Sequence, residues 1–243
     1  MFLIIEDGMN GFLHDYSDDD ITFKVRRAGY KAILCKDSFF SHRGLITDKG
    51  DKEFLNKSML MGEKFFSNKY FGIIPRLDVV NYENDMLSLI DYENLQNSNY
   101  KILGIDTACG APILELKNKL RENSIFNVKL SAFSTDAKYF VDLNTICENV
   151  VIDRLDYILE HYNKEFDFII LGKYINVYSN PKKLIDNLSK ILKDDGILLL
   201  KLRNTRNIDD LLNNLNVYKN KFDDINYLNL TLEELKLFLD NSG

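Results

Sequence analysis

Three successive aspartates, Asp18, Asp19 and Asp20, precede a histidine, His42, in the stretch DYSDDDITFKVRRAGYKAILCKDSFFSHRG. Neighbouring carboxylates repel, so something must compensate them. Two explanations are open. In the first turn of a helix the acids would offset unpaired N–H groups and the positive end of the dipole. Alternatively, an acid at a helix start and a histidine at a strand end could converge on a metal-bound phosphate or a substrate hydroxyl. A second chemical segment is ILGIDTACGAP, which carries Asp106, Ala108, Cys109, Gly110 and Pro112. A strand ending in an acid, then small residues and a helix, lets a backbone loop approach an adenosyl or phosphate ligand closely.

The elements that must hold these residues fall into two halves. In the first, Ser17 or Asp18 is the expected N-cap of a helix bearing Ile21, Val25 and Ala28 at helical spacing. Arg26 and Arg27 fall in its last turn, and Gly29 stands where a left-handed residue ends a helix. YKAILC and SFFSH read as strands, and a longer helix over 52–70 carries Leu55, Met59, Phe66 and Tyr70 on one stripe. Pro75 interrupts the connector, and a further helix is expected over 86–92.

From about residue 100 strand and helix patterns alternate, which indicates a parallel sheet with helices on its faces. KILGID, NVKLSAF, NVVI, FDFIILG and DDGILLLKL are the strand segments; FDFIILG is apolar enough for burial on both faces. RLDYILEHY, NPKKLIDNLSKIL and TLEELKLFLDNSG read as helices, the last with a capping box from Thr231 to Glu234.

Composition narrows the classes. With 243 residues, 45% hydrophobic and 28% charged, the chain can fill a real core as one large or two small domains. A net charge of −6 argues against a nucleic-acid surface, which needs clustered Lys and Arg. Three widely spaced cysteines, Cys35, Cys109 and Cys147, give neither a disulfide framework nor a zinc pattern and suit a reducing cytoplasm. Cys109 reads as a small packed residue and His161 as a surface or helix-end residue. The apolar runs fall well short of the ~18 residues needed to cross a bilayer. No signal peptide is visible, because Glu6 and Asp7 follow the apolar start directly.

The run from Gly11-Phe12 through RRAGY to His42 and Gly44 resembles the closing part of the catalytic domain in family-two glycosyltransferases of the GT-A type. The resemblance implies that Asp18 corresponds to the general base of inverting sugar transfer, and that His42 lies near the nucleotide diphosphate and its divalent metal. Ser17 replaces the family's glutamate. The family's nucleotide-binding strands and Asp-x-Asp metal motif would lie upstream of Met1. Residues 1–72 are therefore expected to be a fragment or remnant that transfers no sugar alone, and a face left open by the missing sheet would favour self-association or a glycosyltransferase partner.

ILGIDTACGAP is similar to the first motif of class I S-adenosylmethionine-dependent methyltransferases, with Asp106, Cys109 and Gly110 in place and Ala108 and Pro112 substituting for glycines. The register continues through FDFIILGKYINVYSNPKKLIDNLSKILKDDGILLLKLRN. The resemblance implies a Rossmann-like α/β domain over 100–243, shortened at its end, after a linker and helix over 73–99. It also implies S-adenosylmethionine as cofactor, held by Asp106, Ala108, Cys109 and Gly110. Phe133 stands where an acid should meet the ribose, with Asp136 as a substitute; Asp153 or Asp156 would meet the adenine end, unless they serve as helix-start acids. Fusion of two such modules implies bacterial surface-glycan biosynthesis, with a sugar or glycan as substrate. The alternative is a methyltransferase-like binding or scaffolding module that has lost its cofactor, to which Ala108, Pro112, Phe133 and Lys173 point.

Overall fold

The computed structural model describes residues 16–33, 35, 37, 52–205 and 227–242. The chain divides into two compact units, Met1–Val80 and Asn81–Gly243.

In the first unit, helix α1 (Ser17–Arg27) begins after Tyr16, which takes a left-handed conformation at φ 71° and gives no side-chain cap. The expected cap at Ser17 or Asp18 therefore moves one place earlier, and Ser17 opens the helix itself. The end of α1 is as expected. Gly29, at φ 82°, donates its N–H to the Arg26 carbonyl and Tyr30 donates to that of Val25, a pairing that satisfies two last-turn carbonyls. Beyond it, Tyr30 to Ile33 and Cys35 form no strand. Ile33 is 83% exposed, and β-branched residues alone do not make a strand without a paired neighbour. SFFSH and His42 lie outside the described residues. Helix α2 (Lys52–Lys69) presents Phe66 to Phe23 of α1, with Tyr70 beside them; the three ring centroids are 4.6–5.3 Å apart. A wide turn over Pro75–Val79 follows.

The second unit is built on five parallel strands in the order β3-β2-β1-β4-β5. These are β1 (Asn99–Ile105), β2 (Asn127–Ser134), β3 (Asn149–Ile152), β4 (Phe166–Tyr174) and β5 (Leu192–Lys201). The helices are α3 (Asn84–Leu87), α4 (Ala111–Glu122), α5 (Phe140–Leu143), α6 (Ile158–His161), α7 (Pro181–Ile191) and α8 (Leu232–Ser242). Two short elements correct the sequence reading: α3 replaces the helix expected over 86–92, and RLDYILEHY is a 3-10 turn followed by the single turn of α6. Strand β5 starts directly at the end of α7, with no intervening turn.

Alternate residues of the central strands feed two cores. Leu103, Ile105, Ile169 and Leu171 pack with Ile158, Leu184, Leu188 and Leu235 on one face. Ile102, Leu130, Phe168 and Ile170 pack with Met86, Ile113, Leu116 and Leu120 on the other. Both faces are covered, which is why these strands read as continuous apolar runs. Reciprocal bonds between Thr231 and Glu234 open α8 with the expected capping box.

The strand order reverses at β1: the chain runs outward from it to β2 and β3 on one side, then crosses from β3 to β4 on the other. Ligands of open parallel sheets bind at the carboxyl ends of the strands beside such a reversal.

Candidate functional site

The aspartates of α1 serve different ends. Asp18 is exposed at the helix start. Asp19 is held above its ordinary range, first by burial and then by the charge of Asp18. Asp20 is 2% exposed and accepts hydrogen bonds from the Tyr70 hydroxyl at 2.6 Å and the Lys69 ammonium at 3.1 Å; Lys24 lies 3.2 Å away. Burial alone would raise its pKa, but these donors outweigh that and hold it below the ordinary range. The expectation that Asp20 is merely a helix-start acid is thus corrected: it ties α1 to the end of α2. Among the described residues no group of His, Cys, Asp and Glu could hold a metal ion.

The second constellation sits at the strand reversal. Strand β1 ends at Ile105, and the chain then turns sharply through Asp106 (φ 49°), Ala108 (φ 51°) and Gly110 (φ 85°) into α4. Asp and Gly tolerate the left-handed region, whereas alanine there is strained, at a cost of order 1–3 kcal/mol. Gly110 is the N-cap of α4 and brings no side chain to its open N–H groups; Pro112, which lacks an N–H, fits the first turn.

The Asp106 carboxylate gathers donors from three separate segments. Oδ1 accepts from the Thr135 backbone N–H at 2.7 Å and from its hydroxyl at 2.8 Å, just past the end of β2. Oδ2 accepts from the Lys173 ammonium at 3.2 Å, on β4, and from the Tyr178 hydroxyl at 3.1 Å. Burial, and then the charge and hydrogen bond of Asp106, push Tyr178 well above the ordinary tyrosine value, so it stays a donor. Gly172 makes this convergence possible: a Cβ there would lie 2.3 Å from the Asp106 carbonyl oxygen and 2.7 Å from the Thr107 Cα.

The loop is closed from above. Residues 102–113 are all buried. A Cβ on Gly110 would meet Ile146 at 2.4 Å and Leu143 at 3.1 Å, so the segment after β2 lies against the turn. Thr107 is 1% exposed, and its hydroxyl has no hydrogen-bond partner among the described residues. Cys109 is fully buried, consistent with a packing role.

The remaining expected residues separate from this set. Phe133 is buried against the Tyr162 and His161 rings, and its carbonyl accepts the Asp106 N–H at 2.9 Å. Asp136 spends Oδ1 on the backbone N–H of Lys138, as the N-cap of a 3-10 turn. Asp153 pairs with His161 at 2.8 Å, which with the Arg154 N–H holds its carboxylate below the ordinary range. Asp156 pairs with Lys183 at 2.8 Å. A solvent-open cleft is lined by Leu155, Asp156, Tyr178, Lys183, Leu184 and Asn187, and Tyr178 borders both this cleft and the Asp106 carboxylate. Asp106, Ala108, Cys109 and Gly110 lie together in one turn, whereas Asp136 and Asp153 stand apart from it. The sequence reading missed Thr135 and Tyr178, and took Lys173 only as a departure. A signal for Lys173 existed in GK at the end of an apolar strand; Thr135 and Tyr178 carried none.

No protein-family model matches the chain, and no curated protein matches it. Solved structures do. A chain of the complex between the Haloferax volcanii Trm112 methyltransferase activator and a methyltransferase superposes with a TM-score of 0.53 at 9% identity, covering 74% of this chain and 73% of that one. The plantazolicin methyltransferase BamL, solved with a triazolic desmethylPZN analog and SAH, gives a TM-score of 0.51 at 16% identity, covering 74% and 66%. The parallel sheet with flanking helices is therefore a Rossmann-like fold of the class I methyltransferase type. These structures do not show the glycosyltransferase-like segment expected before it. No helix among the described residues is long and apolar enough to cross a membrane.

Proposed function

We propose that the second unit is an S-adenosylmethionine-binding module of the methyltransferase type. The observation that carries this reading is the Asp106–Gly110 turn: backbone strain is kept at the carboxyl end of β1, beside the strand reversal. Strain of this kind persists where the surroundings over-determine it, and it clusters at ligand sites.

The residues present fit the cofactor. The backbone of Ala108 to Ala111, at an N-terminus without a side-chain cap, would take the close approach. The unpartnered Thr107 hydroxyl lies in the same turn. Asp106 supplies the acceptor that the cofactor's ammonium and hydroxyl donors require. Thr135 and Asp136 border the neighbouring strand end. When bound, the cofactor supplies a methyl group on a sulfonium centre, and the buried loop keeps water from it. A sugar or glycan as methyl acceptor rests on the resemblance of residues 11–44 alone.

A second reading, a scaffolding module without cofactor, is favoured by the saturation of Asp106 by internal donors. Calorimetric titration of the full chain with S-adenosylmethionine separates the two. The module reading expects saturable heat; no heat at millimolar ligand leaves the scaffold.

A further inference from the structure

We infer that Lys173 is a built-in competitor of the cofactor, latching Asp106 closed until a ligand ammonium replaces its own. This regulation of the same site rests on the cofactor reading above.

An ionised carboxylate offers about four acceptor directions. Those of Asp106 are taken by the Thr135 N–H, the Thr135 hydroxyl, the Tyr178 hydroxyl and the Lys173 ammonium. A ligand donor can reach this carboxylate only if one of the four leaves. Two are fixed: the Thr135 N–H belongs to the backbone, and its hydroxyl sits on the same residue. Tyr178 is packed into the apolar core face that holds Leu184 and Ile175. Lys173 differs from all of these. Its side chain is 44% exposed while that of Asp106 is 2% exposed, so the ammonium can return to water when the carboxylate cannot. Lysine is a hydrated point charge on a flexible stem, which makes it the donor of least cost to release.

The placement is not incidental. Gly172 lets β4 press against the Asp106–Thr107 backbone, and this fixes the next residue over the carboxylate. The Lys173 ammonium also reaches the Thr135 hydroxyl at 3.4 Å, so it spans the ends of β1 and β2. Cofactor donors entering between those two strand ends meet this ammonium first. A ligand ammonium directed at Oδ2 would therefore have to take the acceptor direction that the Lys173 ammonium holds.

The test is calorimetric affinity for S-adenosylhomocysteine, which carries the ammonium and ribose hydroxyls. It compares the wild-type chain with Lys173→Met, Lys173→Gln and Lys173→Arg, with thermal melting to confirm folding. Binding should tighten at least about tenfold, or 1.4 kcal/mol, in the Met and Gln variants and stay at or below the wild-type level in the Arg variant. Two uncharged substitutions keep the test open if one fails to fold. Wild-type binding that is unchanged or weakened in folded Met and Gln variants overturns the latch and leaves the cofactor reading standing. Absence of binding in every variant at millimolar ligand overturns the cofactor reading and the latch with it.

Discussion

Asp20 in the first unit and Asp106 in the second solve the same problem with nearly the same parts. Each is a buried carboxylate satisfied by a tyrosine hydroxyl and a lysine ammonium. Their settings differ. Asp20 sits in a regular helix, and its Tyr70 partner packs against the Phe23 and Phe66 rings, with the Arg27 guanidinium over Phe23 and Tyr70. Asp106 sits on a left-handed turn at a strand reversal, next to another strained residue and an unpartnered hydroxyl. A saturated buried acid is thus a brace in one place and, on the function proposed above, an occupied ligand site in the other. What distinguishes them is the backbone, not the hydrogen bonds.

The comparison can be strained at several points. Gly172→Ala should have the largest effect, because its Cβ meets backbone rather than a flexible side chain. Thermal and denaturant melts should show a loss of about 3 kcal/mol or more, or no folded protein. Asp20→Ala should cost about 2–3 kcal/mol, since it removes the buried acceptor of the Tyr70 hydroxyl and the carboxylate beside Lys69. The Asp20 contribution also has a sign in pH. Its folded pKa lies below the ordinary value, so the stabilisation is complete above the usual carboxylate range and is lost as pH falls through the depressed value. Acid titration of stability should therefore flatten in Asp20→Asn. Asp19, raised by burial and by Asp18, works in the opposite direction. The smallest effect belongs to Asp18→Ala at the exposed helix start, within about 0.5 kcal/mol of wild type. A larger loss there would return Asp18 to the centre of the first unit.

These contrasts follow from what a sequence can carry. Local signals were readable: the left-handed Gly29, the Thr231–Glu234 box and the apolar β4 all occur where their residues require. So was the Asp106–Gly110 turn, because an acid, small residues and a helix start are contiguous. The partners of the buried acids were not readable. Asp20 meets Lys69 and Tyr70 from 49 and 50 positions away, and Asp106 meets Thr135, Lys173 and Tyr178 from 29, 67 and 72. Nothing in DDD marks the third aspartate over the first until α2 packs against it. Apolar pattern likewise overstated YKAILC as a strand, since pairing rather than propensity decides a strand.

The most direct measurement is amide chemical-shift mapping of the full chain with S-adenosylhomocysteine. Saturable shifts at Ala108, Cys109, Gly110 and Thr135 are the predicted result, because those amides border the Asp106 turn. Shifts confined to residues away from that turn, or none at millimolar ligand, would contradict a cofactor site at the end of β1.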